Sequence, residues 1–139
     1  MSKTTVSELM TESPRTVSAD DPLVEAYDIM RALNCRHVPV VDSDGGIVGM
    51  ISERDILRCA LDRQDGSQPL TMRVQLEDQK VSTVMVAGIE VTYPEDDLEE
   101  AAQKMFENKF GCLPVLEGGR VVGILTESDF VRRAATGTS

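Results

Sequence analysis

The sequence predicts a mixed α/β (α+β) fold: two pseudo-symmetric β-α-β-β-α repeats packed sheet to sheet. Three observations carry this prediction: an internal repeat in constant register, helical periodicity alternating with short β-branched runs, and glycine-rich turns between paired runs. Val6–Met10 (VSELM) returns as Val81–Met85 (VSTVM), an offset of 75. Asp21, Leu23, Glu25, Ala26 and Met30 return as Asp96, Leu98, Glu100, Ala101 and Met105, and Pro39-Val40 as Pro114-Val115. After one residue is lost in a turn the offset becomes 74, and Gly49, Glu53, Asp55 and Arg58 return as Gly123, Glu127, Asp129 and Arg132. Repeat 1 is assigned to residues 6–61, a linker to 62–80 and repeat 2 to 81–135. The linker is placed by the polar stretch DRQDGSQP.

Each element follows in order. A short strand is expected near Thr16-Val17, and its copy near Val91-Thr92. Leu23, Ala26, Tyr27, Met30 and Leu33 then keep the i, i+3, i+4, i+7 spacing of a helix with one buried face, as do Leu98, Ala101, Ala102 and Met105. The runs HVPVV and GIVGMI, parted by the turn residues DSDGG, read as a hairpin, and LPVL and RVVGIL around EGG copy it. Ile56, Leu57, Ala60 and Leu61 open a second helical stripe, matched by Phe130, Val131 and Ala134. A sheet of about three strands with helices on one side cannot bury its apolar face alone. Pairing the two copies buries both faces and creates two related clefts, where small ligands usually bind.

Composition narrows the function. The 139 residues hold 14 Lys plus Arg against 24 Asp plus Glu, and the resulting net charge of -10 repels a nucleic-acid backbone. No apolar run approaches the roughly 18 residues that cross a bilayer, and no signal core opens the chain, so neither nucleic acid nor membrane is expected and the location is expected to be cytoplasmic. Cys35, Cys59 and Cys112 form no C-x-x-C pair and read as three buried free thiols. His37 is the one histidine and lacks a Cys or His partner at ligand spacing, so it reads as a half-buried polar residue or a phosphate neighbour rather than a metal ligand, and zinc is not expected. The acidic run from Glu95 to Glu100 opens a helix, where carboxylates favour the macrodipole. The paired methionines Met10/Met85 and Met30/Met105 read as core filler.

The chemistry-bearing motif follows the second hairpin strand: Gly49-Met50-Ile51-Ser52-Glu53-Arg54-Asp55, repeated as Gly123-Ile124-Leu125-Thr126-Glu127-Ser128-Asp129. A hydroxyl at a strand-to-helix turn with an acid three residues later has two readings. It forms a capping box, worth about 0.5–2 kcal/mol at the cap. Alternatively, the free amides of the helix start hold an anion while the carboxylate accepts both hydroxyls of a ribose.

Taken in order and in duplicate, the Val-Pro-Val-Val and Leu-Pro-Val-Leu segments and the two Gly-x-x-[Ser/Thr]-x-x-Asp motifs resemble the cystathionine beta-synthase (CBS) domain pair, or Bateman module, from Val6 to about Ala135. The resemblance implies that each half is a CBS repeat. It implies a regulatory module binding an adenosine-containing ligand (AMP, ADP, ATP, S-adenosylmethionine or similar) in clefts between the repeats, with no cofactor required. Asp55 and Asp129 would hold ribose, and Ser52 and Thr126 would lie near phosphate or ribose. Thr16, Val17, Arg36, His37, Val38 and Pro39 would line the first site, and Val91, Thr92, Cys112, Leu113 and Pro114 the second. Arg15, Arg36, His37 and Arg54 face Glu90, Gly111, Cys112 and Ser128 at matched positions, so the first site is expected to favour phosphorylated ligands.

The resemblance also implies a homodimer and a protein partner whose activity lies on another chain. No paired nucleophile and base, metal cluster or long phosphate loop suggests an enzyme. A structural or dimerisation module, with both motifs serving only as caps, is the alternative.

Overall fold

The described chain, a computed structural model covering residues 4–62 and 72–136, runs α1 (Val6–Leu9), β1 (Thr11–Glu12), β2 (Val17–Ser18), α2 (Leu23–Leu33), β3 (His37–Val41), β4 (Ile47–Ser52), α3 (Glu53–Asp62), α4 (Met72–Glu77), α5 (Val81–Val84), α6 (Leu98–Asn108), β5 (Cys112–Glu117), β6 (Arg120–Thr126) and α7 (Glu127–Thr136). Most of the polar linker stretch, and the side chains of Ala60 and Leu61 in the second stripe, lie outside the described residues.

Residues Arg15–Gly88 form one compact unit. Strand β2 pairs parallel with β3 (Val17 opposite Val40), and β3 pairs antiparallel with β4 (His37 opposite Ser52, Pro39 opposite Met50). The hairpin turn is held by the Asp42 carboxylate, which accepts from the amides of Asp44 and Gly46, each at 2.9 Å. Helix α2 buries Leu23, Ala26 and Met30 against this sheet. Leu33 of the same stripe is exposed, because it ends the helix one residue before the left-handed Asn34. In α3, Ile56 is buried while Leu57, about 100° further round the helix, is exposed. The stripe is therefore narrower than the sequence suggested.

The span assigned as linker contains structure. Helix α4 packs on α2 and α3, with Leu76 fully buried in the core beside Ile56 and Met30. Arg73 donates twice to the Asp28 carboxylate, at 2.8 and 3.0 Å. After it, α5 buries Val81, and Val86 exchanges backbone hydrogen bonds with Met50 at 2.9 and 3.0 Å.

The second unit joins residues 4–14 to residues 89–136. Here β6 lies between β5 and β1, with Thr11 opposite Ile124, and Thr92 adds a parallel bridge to Val115. Its core gathers Val6, Leu98, Ala101, Met105, Leu113, Val115 and Leu125. In α7, Phe130 packs on this core and Val131 is exposed, repeating the pattern of α3.

The sequence repeats and the compact units are thus different sets of residues. The amide of Val6 donates to Asp96 at 2.9 Å, and its copy Val81 donates to Asp21 at 2.9 Å. Each repeat's opening helix, with the extended residues after it, completes the sheet and core of the unit built on the other repeat. Only Cys112 of the three cysteines is buried; Cys35 and Cys59 are half-buried, with Cys59 Sγ accepting from Gln79 Nε2 at 2.8 Å. The burial expected for all three thiols holds for one, because Cys35 follows the helix end and Cys59 lies near the end of α3.

Candidate ligand-binding site

In the unit Arg15–Gly88 the antiparallel register sets the first residue of β3 opposite the last of β4. The Arg36 carbonyl accepts from the Glu53 amide at 2.8 Å, which joins the entry to β3 with the start of α3. Arg36, His37, Ser52 and Asp55 thereby gather at one end of the sheet, with Arg36 exposed and the other three half-buried. Arg54 is exposed on the first turn of α3, and Thr16 is half-buried just before β2. Val17 and Val38 are core residues and Pro39 is buried, so their side chains are taken up by packing.

The motif itself is reciprocal. The Ser52 amide donates to Asp55 Oδ2 at 3.1 Å, and the Asp55 amide donates to Ser52 Oγ at 3.1 Å, which is the capping box that the spacing allows. Among the described residues, nothing donates to Asp55 Oδ1.

The second unit has the same frame with a different content. Cys112 stands opposite Thr126, and the Gly111 carbonyl accepts from the Glu127 amide at 3.2 Å. Asp129 is almost completely buried and accepts four hydrogen bonds. Thr126 donates its amide (2.8 Å) and hydroxyl (3.2 Å) to Oδ2, while Thr11 Oγ1 (3.0 Å) and Arg132 (2.8 Å) donate to Oδ1. Such a set matches the acceptor capacity of an ionised carboxylate. Thr92 is also committed: its hydroxyl donates to Asp96 Oδ2 at 2.8 Å, closing the turn before α6. Val91 is half-buried, Leu113 is a core residue and Pro114 is buried, accepting from the Thr92 amide at 3.0 Å.

Burial, aided by the nearby Glu127 carboxylate, pushes the Cys112 thiol up to about 12, so this sulfur is an apolar wall at neutral pH. Burial also raises the Cys35 thiol.

Two residues at these motifs were missed. Thr11 escaped because it belongs to repeat 1 in sequence yet in space to the motif of repeat 2. Lys104 Nζ donates to the Val91 carbonyl at 2.9 Å, bringing a cation to the repeat that seemed poor in positive charge. Its matched position in repeat 1 is Ile29, and that exchange of an apolar for a basic residue was a readable signal. Among the described residues, no cluster of His, Cys, Asp or Glu is arranged to hold a metal ion, and no helix is long and apolar enough to cross a membrane.

The family model for the CBS domain matches the chain twice, over residues 6–62 and 81–136. The chain belongs to the CBS-domain family. A CBS domain-containing protein of Dictyostelium discoideum is 34% identical over 131 residues, covering 93% of this chain and 90% of that one. Among solved structures, the CBS domain pair of protein MJ0100, in complex with 5′-methylthioadenosine and S-adenosyl-L-methionine, matches with TM-score 0.81 and 25% identity over 99% of this chain and 100% of that one. CBSX2 in complex with AMP matches with TM-score 0.76 and 26% identity, covering 95% and 96%. CBSX2 is a CBS-pair protein of Arabidopsis thaliana. Other relatives are longer: the chain spans 41% of an uncharacterized Methanocaldococcus jannaschii protein and 24% of homoserine O-acetyltransferases from Methanohalobium evestigatum and Methanococcus vannielii.

Proposed function

We propose that this CBS pair is a non-enzymatic, ligand-sensing module that takes up an adenosine-containing small molecule and thereby modulates a protein partner. The observation that carries the reading is the carboxylate at the β4–α3 turn: Asp55 is half-buried and oriented by Ser52, and it keeps one oxygen without a donor among the described residues. An oriented carboxylate with a spare oxygen suits a pair of vicinal hydroxyls, and the exposed side chains of Arg36 and Arg54 suit phosphate. His37, Thr16 and the backbone of Val17, Val38 and Pro39 complete the first set of proposed contacts. The matching positions in repeat 2 are Val91, Thr92, Cys112, Leu113, Pro114, Thr126 and Asp129, where the Asp129 carboxylate already holds four donors. The relatives solved with AMP, and with 5′-methylthioadenosine and S-adenosyl-L-methionine, support the ligand class.

A homodimer belongs to the same proposal. Leu57 of α3 and Val131 of α7 stand at matched positions and are 42% and 67% exposed in the single chain, an apolar side chain that each helix offers to a second copy.

A second reading, a dimerisation module without a ligand, is favoured by the saturated Asp129 and by the complete capping box at Ser52. The test is a thermal-shift panel of AMP, ADP, ATP, S-adenosyl-L-methionine and 5′-methylthioadenosine, followed by calorimetry. A ligand at 100 times its dissociation constant adds about 2.7 kcal/mol of stability. A panel that leaves the melting temperature unmoved at millimolar concentration rejects the ligand-sensing reading and leaves the dimerisation module. Light scattering at about 15 kDa, with and without ligand, rejects the dimer.

A further inference from the structure

The two motifs share a spacing, but their carboxylates are in different states. Asp129 has a side chain 1% exposed and accepts four donors, two of them, Thr11 and Arg132, from outside its own turn. Asp55 is half-buried and bonded only within its own turn among the described residues, and Arg58, the counterpart of Arg132, has no ion-pair partner there.

One of the donors that Asp55 lacks traces to a single residue on the added edge strand. Thr11 stands opposite Ile124 on β6, and Val86 stands opposite Met50 on β4, so 11 and 86 are the same register position in the two sheets. Thr11 brings a hydroxyl that reaches Asp129 at 3.0 Å. Val86 brings a methyl of nearly the same shape and no donor.

We infer that the residue at this edge-strand position decides which motif binds the ribose: Val86 leaves Asp55 open to it, and Thr11 closes Asp129 into a structural latch. The inference rests on the nucleoside reading above and adds to it the element that makes one motif competent. A carboxylate already holding four donors gains nothing by accepting two more hydroxyls, and a ligand would have to displace Thr11 and Arg132 to reach it.

Because valine and threonine are nearly isosteric, the test is a swap in the full chain, with folding checked by circular dichroism and melting. Calorimetry with AMP and 2′-deoxy-AMP is the readout. The wild-type chain is expected to bind one AMP per chain and to prefer it over the deoxy analogue by at least about tenfold, as a site built to bond a hydroxyl should. Val86→Thr should weaken AMP by about tenfold and erase the preference for the 2′-hydroxyl, and Asp55→Asn should do the same. Thr11→Val should add a second, weaker AMP per chain.

Two equal sites in the wild type, or a 2′-hydroxyl preference that survives Val86→Thr, would overturn the inference while leaving the nucleoside module standing. AMP failing to bind while another compound of the panel binds would do so as well. A wild-type chain that binds no compound of the panel would overturn both.

Discussion

A Cβ placed on Gly123 would stand 2.5 Å from Sδ of Met10 and 3.1 Å from the Thr11 carbonyl; on Gly49 it would meet Met85 at 2.8 Å and the Val86 carbonyl at 3.0 Å. The glycine of each Gly-x-x-[Ser/Thr]-x-x-Asp motif therefore makes room for the segment that arrives from the other repeat. Neither glycine needs a positive φ for this. Gly123→Ala and Gly49→Ala should each destabilise by about 1–3 kcal/mol, since the methionine can swing aside but the backbone carbonyl cannot easily follow. Urea unfolding of each variant checks this, and a loss below a few tenths of a kcal/mol would show that the segment yields.

Leu76 gives the second prediction. It is fully buried although it lies in a span with a linker's composition. Leu76→Ala should cost about 2–5 kcal/mol, as for other buried leucines. The Arg73–Asp28 pair on the same short helix is half-exposed and screened, so Arg73→Ala should cost far less. Equal losses for the two variants would mean that the ion pair holds α4 as strongly as its apolar residue does.

Lys109 and Asn34 end α6 and α2 at matched positions, both left-handed, with φ of 58° and 54°. Asparagine tolerates that region, whereas lysine is strained there. Lys109→Asn should stabilise by about 0.5–1 kcal/mol, and Asn34→Lys should destabilise by a similar amount. Paired thermal melts decide, and opposite signs are required.

The raised thiol of Cys112 sets a pH dependence. Its folded value of about 12 lies above that of an unfolded cysteine, near 8.5, so above that pH the unfolded state releases a proton that the folded state keeps. Stability should be insensitive to this group below about pH 8 and fall by up to about 1.4 kcal/mol per pH unit between about 9 and 11. Cys112→Ala should flatten that part of the profile. In native protein at pH 8, iodoacetamide should modify Cys112 at least about a hundredfold more slowly than in urea, read by intact mass and peptide mapping.

Local rules made the hairpins and the stripes of α2 and α6 legible: Asp42 with Gly46, and Leu23 with Ala26 and Met30, lie within a few residues of one another. The exchange of Val6 and Val81 between units was not legible, for a physical reason. Two copies of one repeat offer two chemically similar docking places for the same short helix, and periodicity cannot distinguish Asp21 from Asp96 as the acceptor of its first amide. The burial of Asp129 was hidden with it, because Thr11 arrives on that exchanged strand. Helix α4 spans only six residues, too few to show a period, so Leu76 read as a lone apolar residue in polar surroundings.

Because each sheet takes its edge from the far repeat, neither half carries its complete fold within its own stretch of chain. A polypeptide holding one repeat would need a second molecule to lend it the missing helix and edge strand, the reciprocal loan seen in domain-swapped dimers. Duplication within one chain turns that bimolecular exchange into an intramolecular one, independent of protein concentration. It also frees the two lent strands to diverge, and positions 11 and 86 are where a hydroxyl and a methyl have done so.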